Sequence, residues 1–232
     1  MSPDDPLLEA VENLSHWHRE HEKHYAAAPL EDALALQRTS RTLKALAERW
    51  SEAAPTGPST MSPFAGADDL NDERAVEEAG VLFMEGEGEP AELAAIKREL
   101  RAHAARAAET GAWLAQAMEQ SWAVAERLLA YPHLADLIGE RHRIIANDWQ
   151  NAAGAQLVAQ LLDRVAAILD AIDFRPAALR EDLAGERLAP KLLFSAAELL
   201  DRAADLSAES AVLVHENDRR WRVFHARVAS LS

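Results

Sequence analysis

At 232 residues the chain is long enough for one domain with a sizeable core, and 49% of it is hydrophobic although only 6% is aromatic. A net charge of −15 argues against nucleic acid or an anionic membrane surface as partner, since both demand clustered Lys and Arg. The absence of cysteine excludes disulfides, thiolate metal sites and a Cys nucleophile.

An alanine-rich chain with few β-branched runs points to close-packed helices and no sheet. No unbroken apolar run reaches the length of a membrane span, and Met1-Ser2-Pro3-Asp4-Asp5-Pro6 lacks the basic and apolar parts of a signal peptide. A cytoplasmic protein without membrane association is expected.

The first element is predicted over about 6–52. Leu7, Val11, Leu14, His18, His21, Tyr25, Ala28, Asp32, Leu36, Thr39, Leu43, Leu46 and Trp50 keep 3-4 spacing throughout. That phase survives Pro29, which predicts one helix kinked there. A hairpin broken at Pro29 is the alternative, because Leu30 and Leu34 point off the stripe.

Residues 53–89 read as a long acidic loop rich in Pro and Gly, with a short helix near 72–79 capped by Asn71. Within it, Val81-Leu82-Phe83-Met84 is an apolar tetrad among glutamates. It either tucks onto the core or serves as a lid or partner-docking plug.

Pro90 opens a second long helix, predicted to reach about 131. Its inward stripe is Leu93, Ile96, Leu100, Ala104, Ala107, Gly111, Leu114, Met118, Trp122, Ala125 and Leu129. The tight break at Tyr131-Pro132 and a third helix over 133–173 make an antiparallel hairpin about 60 Å long. In that third helix the inward face moves from Leu137, Ile145 and Ala152 to Leu157, Leu161, Val165 and Ile168. The shift predicts a kink or a change of neighbour near Asn151–Gly154.

A short helix near 176–183 precedes the last one, opened by Pro190 and running to about 231. Its stripe includes Leu192, Leu199, Leu206, Val214, Asn217, Trp221, Phe224 and Val228. Four long helices in a single domain, 1–232, predict an all-α, elongated up-down-up-down four-helix bundle.

The densest chemistry is the run His16-Trp17-His18-Arg19-Glu20-His21-Glu22-Lys23-His24. If the first helix runs antiparallel to the 90–131 helix, His18, His21 and Tyr25 fall level with Arg141, His142, Asp148 and Asn217. This defines a buried polar layer in which Asp148 and Arg141 must be paired or ligating, because an isolated buried charge is costly. His18 and His21, spaced i and i+3, can share a metal (Fe, Mn or Zn) with Asp148. A parallel arrangement would instead give the histidines Glu99 and His103 as partners.

The Glu-x-x-His pairs of di-iron carboxylate bundles are absent, as are a Gly-x-Ser-x-Gly elbow and a glycine-rich phosphate loop. The expected function is therefore a non-enzymatic bundle, an interaction, adaptor or regulatory protein with a protein partner or a second copy of itself. The alternative is a metal-dependent redox or oxygenase-type enzyme that uses the polar layer.

Overall fold

The structure, a computed structural model, describes residues 5–25, 28–52, 91–172 and 184–230; the side chains of 21–25, 28, 50–52, 91–92 and 184–189 are not among those described. In this set the chain forms α1 (Pro6–Tyr25), α2 (Ala28–Glu52), α3 (Ala91–Leu128), α4 (Ala135–Asp170, preceded by a 3-10 turn at Pro132–Leu134) and α5 (Ala184–Ala229), and no strand. The 53–89 loop, its Val81, Leu82, Phe83 and Met84 tetrad, the short helices near 72–79 and 176–183, and the side chains of His21 and Tyr25 lie outside the described residues.

Instead of one helix kinked at Pro29, there are two. Pro29 sits in the first turn of α2, where a missing N–H loses no intrahelical bond. The pair nevertheless keeps one direction. At one end the Tyr131 hydroxyl donates to Asp5 Oδ1 at 2.6 Å, and further along His103 Nδ1 lies 2.8 Å from Asp32 Oδ1. Towards the last helix, the His18 and Trp221 rings are 5.1 Å apart and Ser40 Oγ donates to the Ala197 carbonyl at 3.1 Å. Both α1 and α2 thus run antiparallel to α3 and to α5, and a hairpin at Pro29 does not form.

The other neighbours alternate in the same way. Lys97 and Arg101 near the start of α3 pair with Asp170 at the end of α4, at 2.6 and 2.9 Å. Asp136 and Glu140 at the start of α4 pair with Arg227 and Arg220 near the end of α5. The result is the up-down-up-down bundle. Gly111 permits close approach of α3 and α4, since a Cβ there would meet the Ala152 carbonyl at 3.4 Å and Gln156 Cγ at 3.3 Å.

The stripes hold to a 3.5-residue repeat more strictly than a straight 3.6-residue helix would. In α3 the buried positions run Leu114, Ala117, Ser121, Val124 and Leu128, while the expected Trp122 and Leu129 are 48% and 67% exposed. Supercoiling in a bundle keeps a heptad seam inward, and counting at 100° per residue drifts off it. In the first half of α5 the same error placed Leu192 and Leu199 inward, where Leu193 and Leu200 are the buried pair. Pro190 does not open α5; the helix starts at Ala184 and carries the proline inside it.

The expected turn of face within α4 does not occur. Its buried residues continue unbroken from Leu137 through Arg141, Ile144, Asp148, Ala152, Ala155 and Ala159 to Leu169. Alanines and polar residues form the seam there, and Leu157 and Leu161 flank it. By length and composition, Pro132–Asp170 is long and apolar enough to cross a membrane, with a mean hydropathy of 1.3 in an 18-residue window. A core helix meets that criterion as readily as a spanning one, and 44% of the window is buried inside the bundle.

Two apolar clusters result. One joins α2, the first half of α3, the second half of α4 and the first half of α5; the other joins Leu7, Val11 and Leu14 to Val124, Leu128, Leu137, Phe224 and Val228. The heptad phase has a direct check in urea unfolding. Leu128→Ala is expected to cost about 2–4 kcal/mol, and Leu129→Ala no more than about 0.5 kcal/mol. The reverse order would restore the 3.6-residue phase.

Candidate functional site: a cavity between the first and last helices

The two halves of the first arm have different neighbours. α2 packs along α5, whereas α1 packs mainly against α3 and touches α5 at few points. Between α1 and α5 this leaves a cavity of about 940 Å³. Its walls are Trp17 and His18 from α1, Leu114 and Ala117 from α3, Ile144 from α4, and Val214 and Trp221 from α5. Charged and titratable side chains also line it: His16 lies 3.1 Å from Glu20, Arg222 lies 2.7 Å from Asp218, and Arg19 Nε donates to the Ser15 carbonyl at 3.3 Å.

Asp148 and Asn217 form the floor, at the level between the two apolar clusters. Asp148 is 5% exposed. Its Oδ1 accepts a 2.7 Å hydrogen bond from Asn217 Nδ2, which also reaches the Ile144 carbonyl at 3.2 Å. Asn147 Nδ2 donates to Asn217 Oδ1 at 2.9 Å, so both ends of the Asn217 amide are used and its orientation is set. Asp148 Oδ2 has no hydrogen-bond partner.

Arg141, two turns away on α4, is completely buried. Its Nη2 donates to Ser121 Oγ, and the guanidinium carbon stands 4.6 Å from the Trp221 ring centroid and 5.4 Å from that of Phe224. Nε and Nη1 carry no hydrogen bond. The aromatic faces supply part of the stabilisation that water would otherwise give this cation. Burial pushes the Asp148 carboxyl up to about 6, against the opposing pull of Arg141 and of the Asn217 hydrogen bond. The same burial brings Arg141 down to about 10, with Asp148 opposing.

Of the layer expected from sequence, His18, Arg141, Asp148 and Asn217 do converge. His142 does not: one residue beyond Arg141 on a helix is about 100° further round, and its ring lies on the outer face, 5.4 Å from Trp122. Glu99 is exposed, and His103 belongs to a separate cluster with Asp32 and with Arg106, whose Nη2 is 2.6 Å from His103 Nδ1. The antiparallel direction of α1 keeps both away from His18, so the parallel alternative is not formed. Among the described residues, no three His, Asp or Glu side chains gather as a metal-binding group.

Sequence reading missed Ser121, Asn151 and Trp17. A strict heptad count from Leu114 would have put Ser121 inward. Asn151, 1% exposed, accepts from Ser210 Oγ at 3.0 Å and continues the polar seam of α4. In comparisons with protein-family models, curated proteins and solved structures, nothing matches this chain.

The raised carboxyl of Asp148 has a consequence for stability. The folded chain retains that proton up to about pH 6, whereas an unfolded Asp releases it near pH 4. Stability contributed by the protonated form is therefore lost as pH rises between these values and stays lost above them. Asp148→Asn is expected to stabilise by about 1–3 kcal/mol at pH 8 and to change little at pH 4. Thermal melts at the two pH values would show it; equal effects at both would mean that Asp148 is not desolvated.

Proposed function

We propose that the chain is a non-enzymatic, cytoplasmic regulatory or adaptor protein whose signal is a small organic molecule held in the α1–α5 cavity. The observation that carries this reading is the cavity itself: about 940 Å³, with Trp17, Leu114, Ala117, Ile144, Val214 and Trp221 in its walls, Asp148 and Asn217 at its floor and further polar and charged side chains in its lining. Ligand sites of binding proteins have this composition, in which apolar walls supply affinity and a few placed polar atoms supply orientation.

The roles of the two faces of α4 support a regulatory part. Asp148 faces the cavity, while Trp149 beside it is 68% exposed. Trp149 lies two turns beyond His142 on the outer face, where Trp122 also stands, 48% exposed. Aromatic side chains of this kind are the usual anchors of protein partners, so one helix connects a ligand chamber to a docking surface.

A neutral solvatochromic dye tests the chamber. Nile red is expected to bind one per chain with a blue shift in emission. Val214→Trp, which extends a ring into the cavity, should abolish the shift while circular dichroism stays helical. The reading fails if the dye shows no saturable binding to the native chain, or if Val214→Trp folds and binds it as well as the native chain does.

A further inference from the structure

The geometry points to an organic monocation, a protonated amine on an apolar body, as the ligand class of this cavity, with Asp148 Oδ2 as its counter-charge. The inference rests on the proposal that the cavity is a ligand chamber, and it specifies what that chamber selects.

Three observations carry it. The first is the state of Asp148. One oxygen is held by Asn217, which fixes the carboxylate in place; the other is buried and accepts nothing, and Asp148 is among the residues that line the cavity. A buried acceptor without a donor carries the full desolvation penalty, and an ammonium N–H removes that penalty through a charge-assisted hydrogen bond.

The second is the direction of Arg141. It is the natural ion-pair partner in the layer, yet it donates to Ser121 and lies against Trp221 and Phe224, and no hydrogen bond joins it to Asp148. Arg141 therefore does not satisfy Asp148 Oδ2.

The third is the aromatic and apolar lining. Charged side chains of both signs also line the cavity, Glu12 and Asp218 with Arg19 and Arg222, and Arg222 lies 2.7 Å from Asp218. Trp221 and His18 form an aromatic wall near the floor, their ring centroids 5.1 Å apart. Aromatic faces favour a cation over an anion, and the apolar walls from Leu114, Ala117, Ile144 and Val214 require a hydrocarbon body behind the charge. A buried water on Oδ2 is the competing occupant, and it would give no preference for charge.

Three isosteric probes decide between these: 4-phenylbutylammonium, 4-phenylbutanol and 4-phenylbutanoate, each used to displace Nile red from the full chain at pH 7.5. The ammonium is expected to displace the dye at a concentration at least about tenfold below the alcohol, with the carboxylate weakest. In Asp148→Asn the advantage of the ammonium over the alcohol, each measured on the variant itself, should shrink to less than about twofold.

Equal displacement by ammonium and alcohol on the native chain would overturn the inference and leave the chamber reading intact. So would a preference for the carboxylate, which would assign the selectivity to the rim histidines. A cation preference that survives in Asp148→Asn would overturn the role of Asp148. If Nile red itself does not bind the native chain, both readings fall together. The three-way comparison on the native chain stands alone should Asp148→Asn fold poorly.

Discussion

The cavity follows from one packing constraint, the unequal width of the seam that the first arm of the bundle shares with α5. Where α2 meets α5 the buried apolar residues are aliphatic, with Ala33, Ala47, Ala196, Ala197, Ala203 and Ala204 among leucines such as Leu36, Leu43, Leu193 and Leu200, and none of the described ones is aromatic. The helices come close enough there for Ser40 Oγ to bond a carbonyl of α5 directly. Where α1 meets α5 the facing residues are Trp17, His18, Trp221 and Phe224. Small residues and stacked aromatics cannot line the same seam at one interaxial distance, since close-packed interiors leave little slack. The arm is divided between Tyr25 and Ala28, and α1 takes its packing from α3 instead. The space it vacates beside α5 is the chamber.

A buried Arg and Asp in the same stretch would be hard to justify by stability alone. Replacement of a buried ion pair by apolar residues is commonly neutral or stabilising, and here the two charges do not even share a hydrogen bond. Each is instead fixed by neutral neighbours, Arg141 by Ser121 and two rings, Asp148 by the Asn217 amide. Such an arrangement holds the two groups at set positions and leaves donors and an acceptor unused. On the proposed reading, the fixed and unsatisfied Asp148 oxygen is the group that selective binding of a small molecule would use, because its ordering cost is met during folding.

Much of this was legible in the sequence, and the misses share a cause. Arg141, Asp148 and Asn217 interrupt apolar stripes, and the levels counted from the Tyr131-Pro132 turn place them opposite His18. Topology was legible as well, because helices of like length joined through a tight turn must alternate in direction. What misled was helical phase. Trp122 and Leu129 are large and apolar, so a count at 3.6 residues per turn gave them the seam that Ser121 and Leu128 occupy. Along α4 the reading took Leu157 and Leu161 where Val158, Ala159 and Leu162 are buried, again a shift of phase. In an alanine-rich bundle the residues nearest the axis are the small ones, and size is a poor guide to which way a position faces. The cavity was not legible at all. It depends on the distance between two helices, and hydrophobic spacing along one helix carries no information about that distance.

The same asymmetry sets where the bundle is least firmly held. α2 is bound to α5 along its length and tied across it by the Lys44–Asp201 pair at 2.6 Å, while α1 has α3 on one side and the cavity on the other. Its apolar hold on the rest includes Leu7, Val11 and Leu14 in its N-terminal half, and its other end stops at the break before α2. Local opening draws on the elements with the fewest buried contacts, so α1 is the part of the bundle whose docking costs least to undo. A molecule bound between α1 and α5 adds contacts to that weakly held element and to a firmly held one. On the proposed reading, binding would favour the docked state of α1 by the free energy of those contacts, and occupancy of the chamber would change the population of one helix.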